Sequence, residues 1–335
     1  MASIQQGRNG KPHSGVSGGI GTVLQSIGRS FSPPQLPVPM SAADLAKLVF
    51  LSAIWGGSFI FLRVAAPEAG PLLTATLRTT IAGASLVAFA TITRVKMDWL
   101  ANLKTFAVVG LFAVVIPFSC FAFAALHLPA AYSALLNSTA PLFGAMFAMI
   151  WLAERLTMQK LAGLLLGIAG VGILVGAGTI SMAMTTLAAV GACLMAAAGY
   201  ALSSIIVKKT GHPGGIHPIA MAAGSMAVGS VIMLPTLPFS LPSAMPSMAA
   251  VGCIVAMALL SSGLAQALFI PLIVKIGPTR AMSTSFLIPL FSMLWAFLFL
   301  HETIGISTIV GGAVVLVAMA LVLTAPHGDR MGKSA

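Results

Sequence analysis

Apolar residues run almost unbroken through most of this chain, divided at regular intervals by short clusters rich in Lys, Arg, Pro, Gly and Ser. A helix rising about 1.5 Å per residue needs roughly 20 residues to cross the hydrocarbon core of a bilayer. Runs of about that length lie at 45–65, 71–92, 105–126, 129–152, 158–176, 183–207, 217–238, 247–272, 278–300 and 304–325, and they predict ten transmembrane helices. The fold class is therefore an all-α polytopic membrane protein.

One segment of the fourth run is written twice. APLFGAMFAMIWLAERLT, residues 140–157, has a near-copy in IPLFSMLWAFLFLHETIG, which begins at Ile288. Setting residue 141 against 289 pairs Pro141, Leu142, Phe143, Ala148, Leu152, Glu154 and Gly163 with Pro289, Leu290, Phe291, Ala296, Leu300, Glu302 and Gly311. A weaker echo links WGGSFIFLR at 55–63 to YALSSIIVK at 200–208. The chain reads as two halves, 45–176 and 183–325, of five spans each. Because five is odd, the second half enters the membrane from the opposite side, and the repeats are inverted. Secondary transporters use that arrangement to expose one central site to each face in turn.

Composition agrees: 58% of residues are hydrophobic and 7% charged, with a formal net charge of +11. That surplus does not describe a nucleic-acid surface, because the basic residues fall in alternate loops and so report topology. With the N-terminus inside, the inner side receives Arg94, Lys96, Lys104, Arg155, Lys160, Lys208, Lys209, Lys275, Arg280, Arg330 and Lys333, while the outer loops carry Arg63. Both termini are expected in the cytoplasm of a bacterial-type inner membrane. Residues 1–40, rich in Gly, Ser, Pro and Gln and without an apolar core of signal-peptide length, are expected to be a disordered cytoplasmic tail, with Met40 as an alternative start; residues 326–335 form a second tail. Cys120, Cys193 and Cys253 sit inside apolar runs at no disulfide or metal spacing and read as small buried hydrophobes. No cofactor or metal is expected.

The segment ALLNSTAPLFGAMFAMIWLAERLT with its glycine-rich follower GLLLGIAGVGILV, the second-half counterpart ending in HET, and PLLTATLR at the start of the second span resemble EamA-type members of the drug/metabolite transporter superfamily. The resemblance covers about residues 45–325. It implies two five-helix EamA repeats around a central cavity, a small-molecule substrate and a lipid bilayer as partners. Such proteins export amino acids and related metabolites, or move vitamins, pigments and toxic organic compounds. The chain departs from the pattern at His301, where an EamA repeat usually has Gly before the glutamate, and at Ser225, where Arg78 would be echoed.

Several residues are candidates for chemistry. Pro141 and Pro289 lie near mid-span and are expected to bend their helices, freeing the carbonyls of Asn137 and Ser285. In a bilayer such a carbonyl must be met by a neighbour, a water or a ligand, so Asn137 and Ser285 are nominated as pocket lining, against a reading in which they only bond within the bundle. Arg78 is the charge placed well inside a span; it suits a substrate carboxylate through two parallel hydrogen bonds, or else neighbouring backbone carbonyls. Glu154 and Glu302, each at a span end before the next helix, suit capping and gating, and are the acidic candidates for proton coupling. Trp55, Ser58, Tyr200, Ser203, Gln266, Ser262, Tyr132, Ser133 and Ser119 are further candidates for cavity walls. Gly163, Gly167, Gly170, Gly311 and Gly312 suit close helix packing within one chain or in a homodimer.

These features favour a secondary transporter of small organic metabolites, foremost an exporter of amino acids or related compounds, with uptake of a vitamin-like solute such as riboflavin second. A multi-span enzyme acting on lipids would need a clustered nucleophile, acid–base pair or metal site, and the sequence offers no such cluster.

Overall fold

The computed structural model describes residues 41–152, 157–176, 183–210, 215–276 and 284–324, and every regular element among them is helical. The first, α1 (Ala42–Ala69), opens on a reciprocal cap: the Ser41 hydroxyl accepts from the Asp44 N–H at 3.2 Å, and the Asp44 carboxylate accepts from the Ser41 N–H at 3.2 Å. Gly70, at φ 80°, turns the chain into α2 (Pro71–Ile92), whose first residue is a proline at a position where no backbone N–H is required. There follow α3 (Trp99–Gly110), α4 (Ile116–Ala124), α5 (Ala130–Asn137), α6 (Ala140–Leu152), α7 (Met158–Gly176), α8 (Met184–Thr210), α9 (Pro218–Met233), α10 (Met248–Ala256), α11 (Ala265–Ile276), α12 (Thr284–Leu300) and α13 (Ile306–Thr324). Arg94, Asp98 and His301 adopt positive φ in connections between helices.

Ten full-length spans were expected. Among the described residues, seven helices are long and apolar enough to cross a membrane: Ala42–Ala69, Pro71–Ile92, Trp99–Ala124, Met184–Val207, Pro218–Phe239, Met248–Phe269 and Ile306–Thr324. Met158–Leu174 and Thr284–Leu300 are shorter apolar helices. The run expected at 129–152 is broken: α5 ends at Asn137, Ser138 and Thr139 form a turn, and α6 begins at Ala140. Pro141 therefore does not bend a continuous helix. It sits in the first turn of a new one, where its missing N–H costs nothing, whereas Pro289 lies inside α12.

Two spans widen in the middle. Residues Leu111–Val115 join α3 to α4, and residues Met257–Leu264 join α10 to α11, both in π-helical geometry. In each, an amide reaches back five residues, Ile116 N–H to Leu111 O and Ala265 N–H to Leu260 O. Pro117 just beyond the first, and the Ser261-Ser262-Gly263 run within the second, are the local causes, since both weaken the ordinary ladder.

Helices from the two ends of the chain interleave. α1 packs against α12 and α10, α2 against α9, α4 and α6 against α8, and α7 against α13. Glycines allow close approaches to the backbone of other helices, Gly56 and Gly199 among them. A Cβ on Gly56 would stand 2.8 Å from the Phe291 Cβ and 2.9 Å from the Ser292 amide nitrogen, and one on Gly199 would stand 2.6 Å from the Phe112 carbonyl oxygen. Hydroxyls stitch α2 to the second half, with Thr80 and Ser230 in contact at 2.7 Å. Because both atoms closest to a Gly56 side chain belong to α12, Gly56→Ala is expected to destabilise the protein by about 1–3 kcal/mol through overpacking. Gly144→Ala, with nothing within 4 Å, is the matched control; thermal unfolding of the detergent-solubilised variants measures the difference.

Candidate functional site

Arg78 leaves the middle of α2 and is 6% exposed. Its Nε donates to the Ser262 Oγ at 2.9 Å, and its guanidinium carbon lies 3.8 Å from the centroid of the Phe118 ring. Ser262 belongs to the second π segment, and Phe118 follows the first by three residues. The two widened turns thus deliver the hydroxyl and the aromatic face that hold the cation. No acceptor among the described residues meets its two terminal nitrogens.

Among the described residues, no carboxylate compensates the charge there. Asp44 pairs with Lys275 at 2.8 Å, Glu68 accepts from the Ser247 N–H at 2.7 Å, and Glu302 faces Arg63. On α8, the Tyr200 ring stacks on Phe121, three residues after Phe118, at 6.3 Å, with Phe59 edge-on to Phe121 at 5.4 Å. A cation buried without a counter-charge is costly in a low-dielectric interior, and it has donors left for an anion.

The second polar locus is the break between α5 and α6. The Ser138 hydroxyl points to two carbonyl oxygens, Ala134 and Ser285, each at 3.1 Å. Ser285 is the residue whose carbonyl Pro289 releases, so a neighbouring side chain satisfies it, as one of the three foreseen partners. Asn137 stands beside this junction, half-buried, and its Oδ1 has no hydrogen-bond partner; neither does the Oγ of Ser133 or the OH of Tyr132 on the same helix.

Other predicted wall residues turn out to be committed elsewhere. The Trp55 indole donates to the Ser261 carbonyl at 2.9 Å, with its ring edge-on to Phe269. Ser58 and Ser203 bond back to the carbonyls of Trp55 and Tyr200 on their own helices. Gln266 lies one turn after Ser262, half-buried. Glu154 lies outside the described residues. Phe118, Phe121 and Ser138 were not singled out from the sequence. Pro117 hints at the first, but nothing in the sequence marks Ser138 as the partner of a carbonyl on a distant helix.

Glu302 caps a different helix from the one its place in the chain suggests. Rather than serving α13, which follows it, the carboxylate accepts from the Ala130 N–H at the start of α5, at 3.1 Å and 3.4 Å. Its Oε1 also lies 3.5 Å from Arg63 Nε, and Arg63 in turn donates to the Ala125 carbonyl at 2.8 Å. Burial pushes the Glu302 carboxyl above its ordinary range, against the opposing pull of Arg63 and the Ala130 amide.

The sequence pattern of the EamA-like transporter family matches residues 45–176 and again 186–324. An uncharacterized transporter of Bacillus subtilis, YvbV, is 29% identical to this chain, over 88% of it and 95% of its own length. A probable terminal-alkyne amino-acid exporter of Streptantibioticus cattleyicolor is 25% identical, over 84% and 94% respectively. A protein crystal structure with a TM-score of 0.60 and 20% identity, covering 83% of this chain and 96% of that one, has a similar fold.

The raised Glu302 carboxyl has a sign. The folded protein holds this proton more tightly than the unfolded chain, so the stability it contributes is complete below the unfolded carboxylate range and lost as pH rises through the folded value. Glu302→Gln is expected to remove that loss, leaving the melting temperature flatter across mildly acidic pH than in the parent. A pH series of thermal unfolding measures it.

Proposed function

Because the chain belongs to the EamA-like transporter family, we propose that it carries a small organic anion or zwitterion, foremost an amino acid or related metabolite, outward across the inner membrane by alternating access. It is an integral membrane protein, and its relatives are named as transporters rather than enzymes. Arg78 is the observation that carries the reading on substrate: a guanidinium 6% exposed, gripped from one side by Ser262 and Phe118, with unmet donors and no carboxylate partner among the described residues. A carboxylate group supplies both the missing charge and the missing acceptors. The name of the Streptantibioticus relative supports the amino-acid class and the outward direction.

In this reading the ten runs form two inverted five-helix halves with both termini cytoplasmic. The packing supports it, because contacts recur in matched pairs. The first run meets the ninth as the sixth meets the fourth, the first meets the eighth as the sixth meets the third, and the second and fifth meet their own counterparts. The π segments likewise fall in the third run of each half. Arg78, Tyr200, Gln266 and Asn137 line the cavity, Ser285 is held at its rim through its carbonyl, and Trp55, Ser58 and Ser203 brace the walls. Glu302, joined to Arg63 and Ala130, closes the outer end as a gate, and Glu154 is its counterpart on the inner face.

Arg78→Gln is the test. Loss of hydrogen bonds to a charged group costs about 1.5–3 kcal/mol, so amino-acid transport into or out of proteoliposomes should fall roughly 10- to 100-fold. The parent should also reject amino-acid amides, which lack the carboxylate, and the variant should lose that discrimination. Undiminished transport by a well-folded Arg78→Gln protein would exclude the assignment.

A further inference from the structure

Three polar atoms on one eight-residue helix lack partners. Tyr132 OH, Ser133 Oγ and Asn137 Oδ1 are all buried without a hydrogen bond, and the Tyr132 and Ser133 side chains are 4% and 3% exposed. Each such atom in an apolar interior is costly, and native proteins rarely leave them so. In a bilayer the penalty has no relief from bulk water. Three on adjacent turns is a concentration that packing alone does not account for, since a Phe, an Ala and a Leu would fill the same space without the penalty.

Their place relative to Arg78 can be read along α8. Ser133 lies beside the Cys193 thiol without meeting hydrogen-bond geometry, whereas Arg78 and Tyr200 are linked through α4, Arg78 over the Phe118 ring and Tyr200 stacked on Phe121. Cys193 and Tyr200 share one face of α8 and stand seven residues apart, about 10 Å at helical rise. Ala197, between them on α8, and Phe121, stacked on Tyr200 from α4, are buried and uncharged. Asn137 follows Ser133 by one turn, on the same face of α5.

We infer that Ser133 and Asn137, with Tyr132 beside them, form a second recognition pole, which binds a hydrogen-bonding group carried by the substrate at the far end of an apolar body from the acidic group at Arg78. The inference rests on the Arg78 reading and narrows it. The favoured solute is an elongated carboxylate with a distal hydroxyl, amino or amide group. Asn137 Oδ1 accepts from that group, and the Ser133 and Tyr132 hydroxyls donate or accept as it requires. Compounds of the same length with a bare hydrocarbon end leave the three atoms unpaired and are disfavoured.

Tyrosine and phenylalanine are a matched pair for the test, equal in their charged head and differing by one distal hydroxyl. In proteoliposomes the parent should take up tyrosine in preference to phenylalanine by at least about tenfold, since a site built to pair a hydroxyl discriminates strongly against its absence. Ser133→Ala and Asn137→Ser should each lower that ratio toward one, while rejection of amino-acid amides persists. If the parent shows no preference, or both variants keep it, the second pole is overturned and the Arg78 reading stands. If the parent moves neither amino acid nor any other carboxylate tested, both readings fall. Should either variant fold poorly, the preference measured with the parent decides alone.

Discussion

A backbone carbonyl set free inside a bilayer has nowhere to go but to another part of the protein, to trapped water or to a solute. That constraint organises the middle of this molecule. Pro289 releases the carbonyl of Ser285, and the Ser138 hydroxyl, from the turn that separates α5 and α6, comes within 3.1 Å of it. The broken helix of one half and the proline-bearing helix of the other are thereby joined where they cross. The same economy governs the two π segments, whose loosened ladders bring forward Ser262 and Phe118 to hold a guanidinium that hydrocarbon alone would not tolerate.

Around that centre, packing is set by small residues and polarity is kept to a few points. Gly56 and Gly199 allow backbones to touch where any side chain would part them. Ion pairs occur toward the ends of α1, Asp44 with Lys275 at its start and Arg63 with Glu302 near its finish, some 19 residues and about 28 Å apart at helical rise. Between those ends, the charge on Arg78 has an aromatic face and a hydroxyl for company.

Much of the fold was legible because bilayer thickness imposes a length on apolar runs, and Arg78 was legible because a charge within such a run stands out. The doubled proline hides a difference between its two copies: Pro141 begins a helix and Pro289 lies within one. A proline in sequence announces a lost N–H, but whether the chain bends or breaks there depends on the residues it meets across space. The π segments carry one extra residue per turn with no signature in hydrophobicity, so their effect on Phe118 and Ser262 was not foreseeable. Glu302 was foreseeable as a cap, but the amide it serves belongs to Ala130, far away in the chain.

His301, just before that glutamate, holds φ at 53°, a left-handed conformation that costs an L-residue about 1–2 kcal/mol and glycine almost nothing. The resemblance in sequence places glycine at this point in comparable repeats. His301 accepts that cost in the turn that brings Glu302 to the Ala130 amide. Glycine at this single position would remove that cost while leaving the helices on either side as they are, which makes the connection between α12 and α13 a place where thermal tolerance can change while the site's chemistry stays constant.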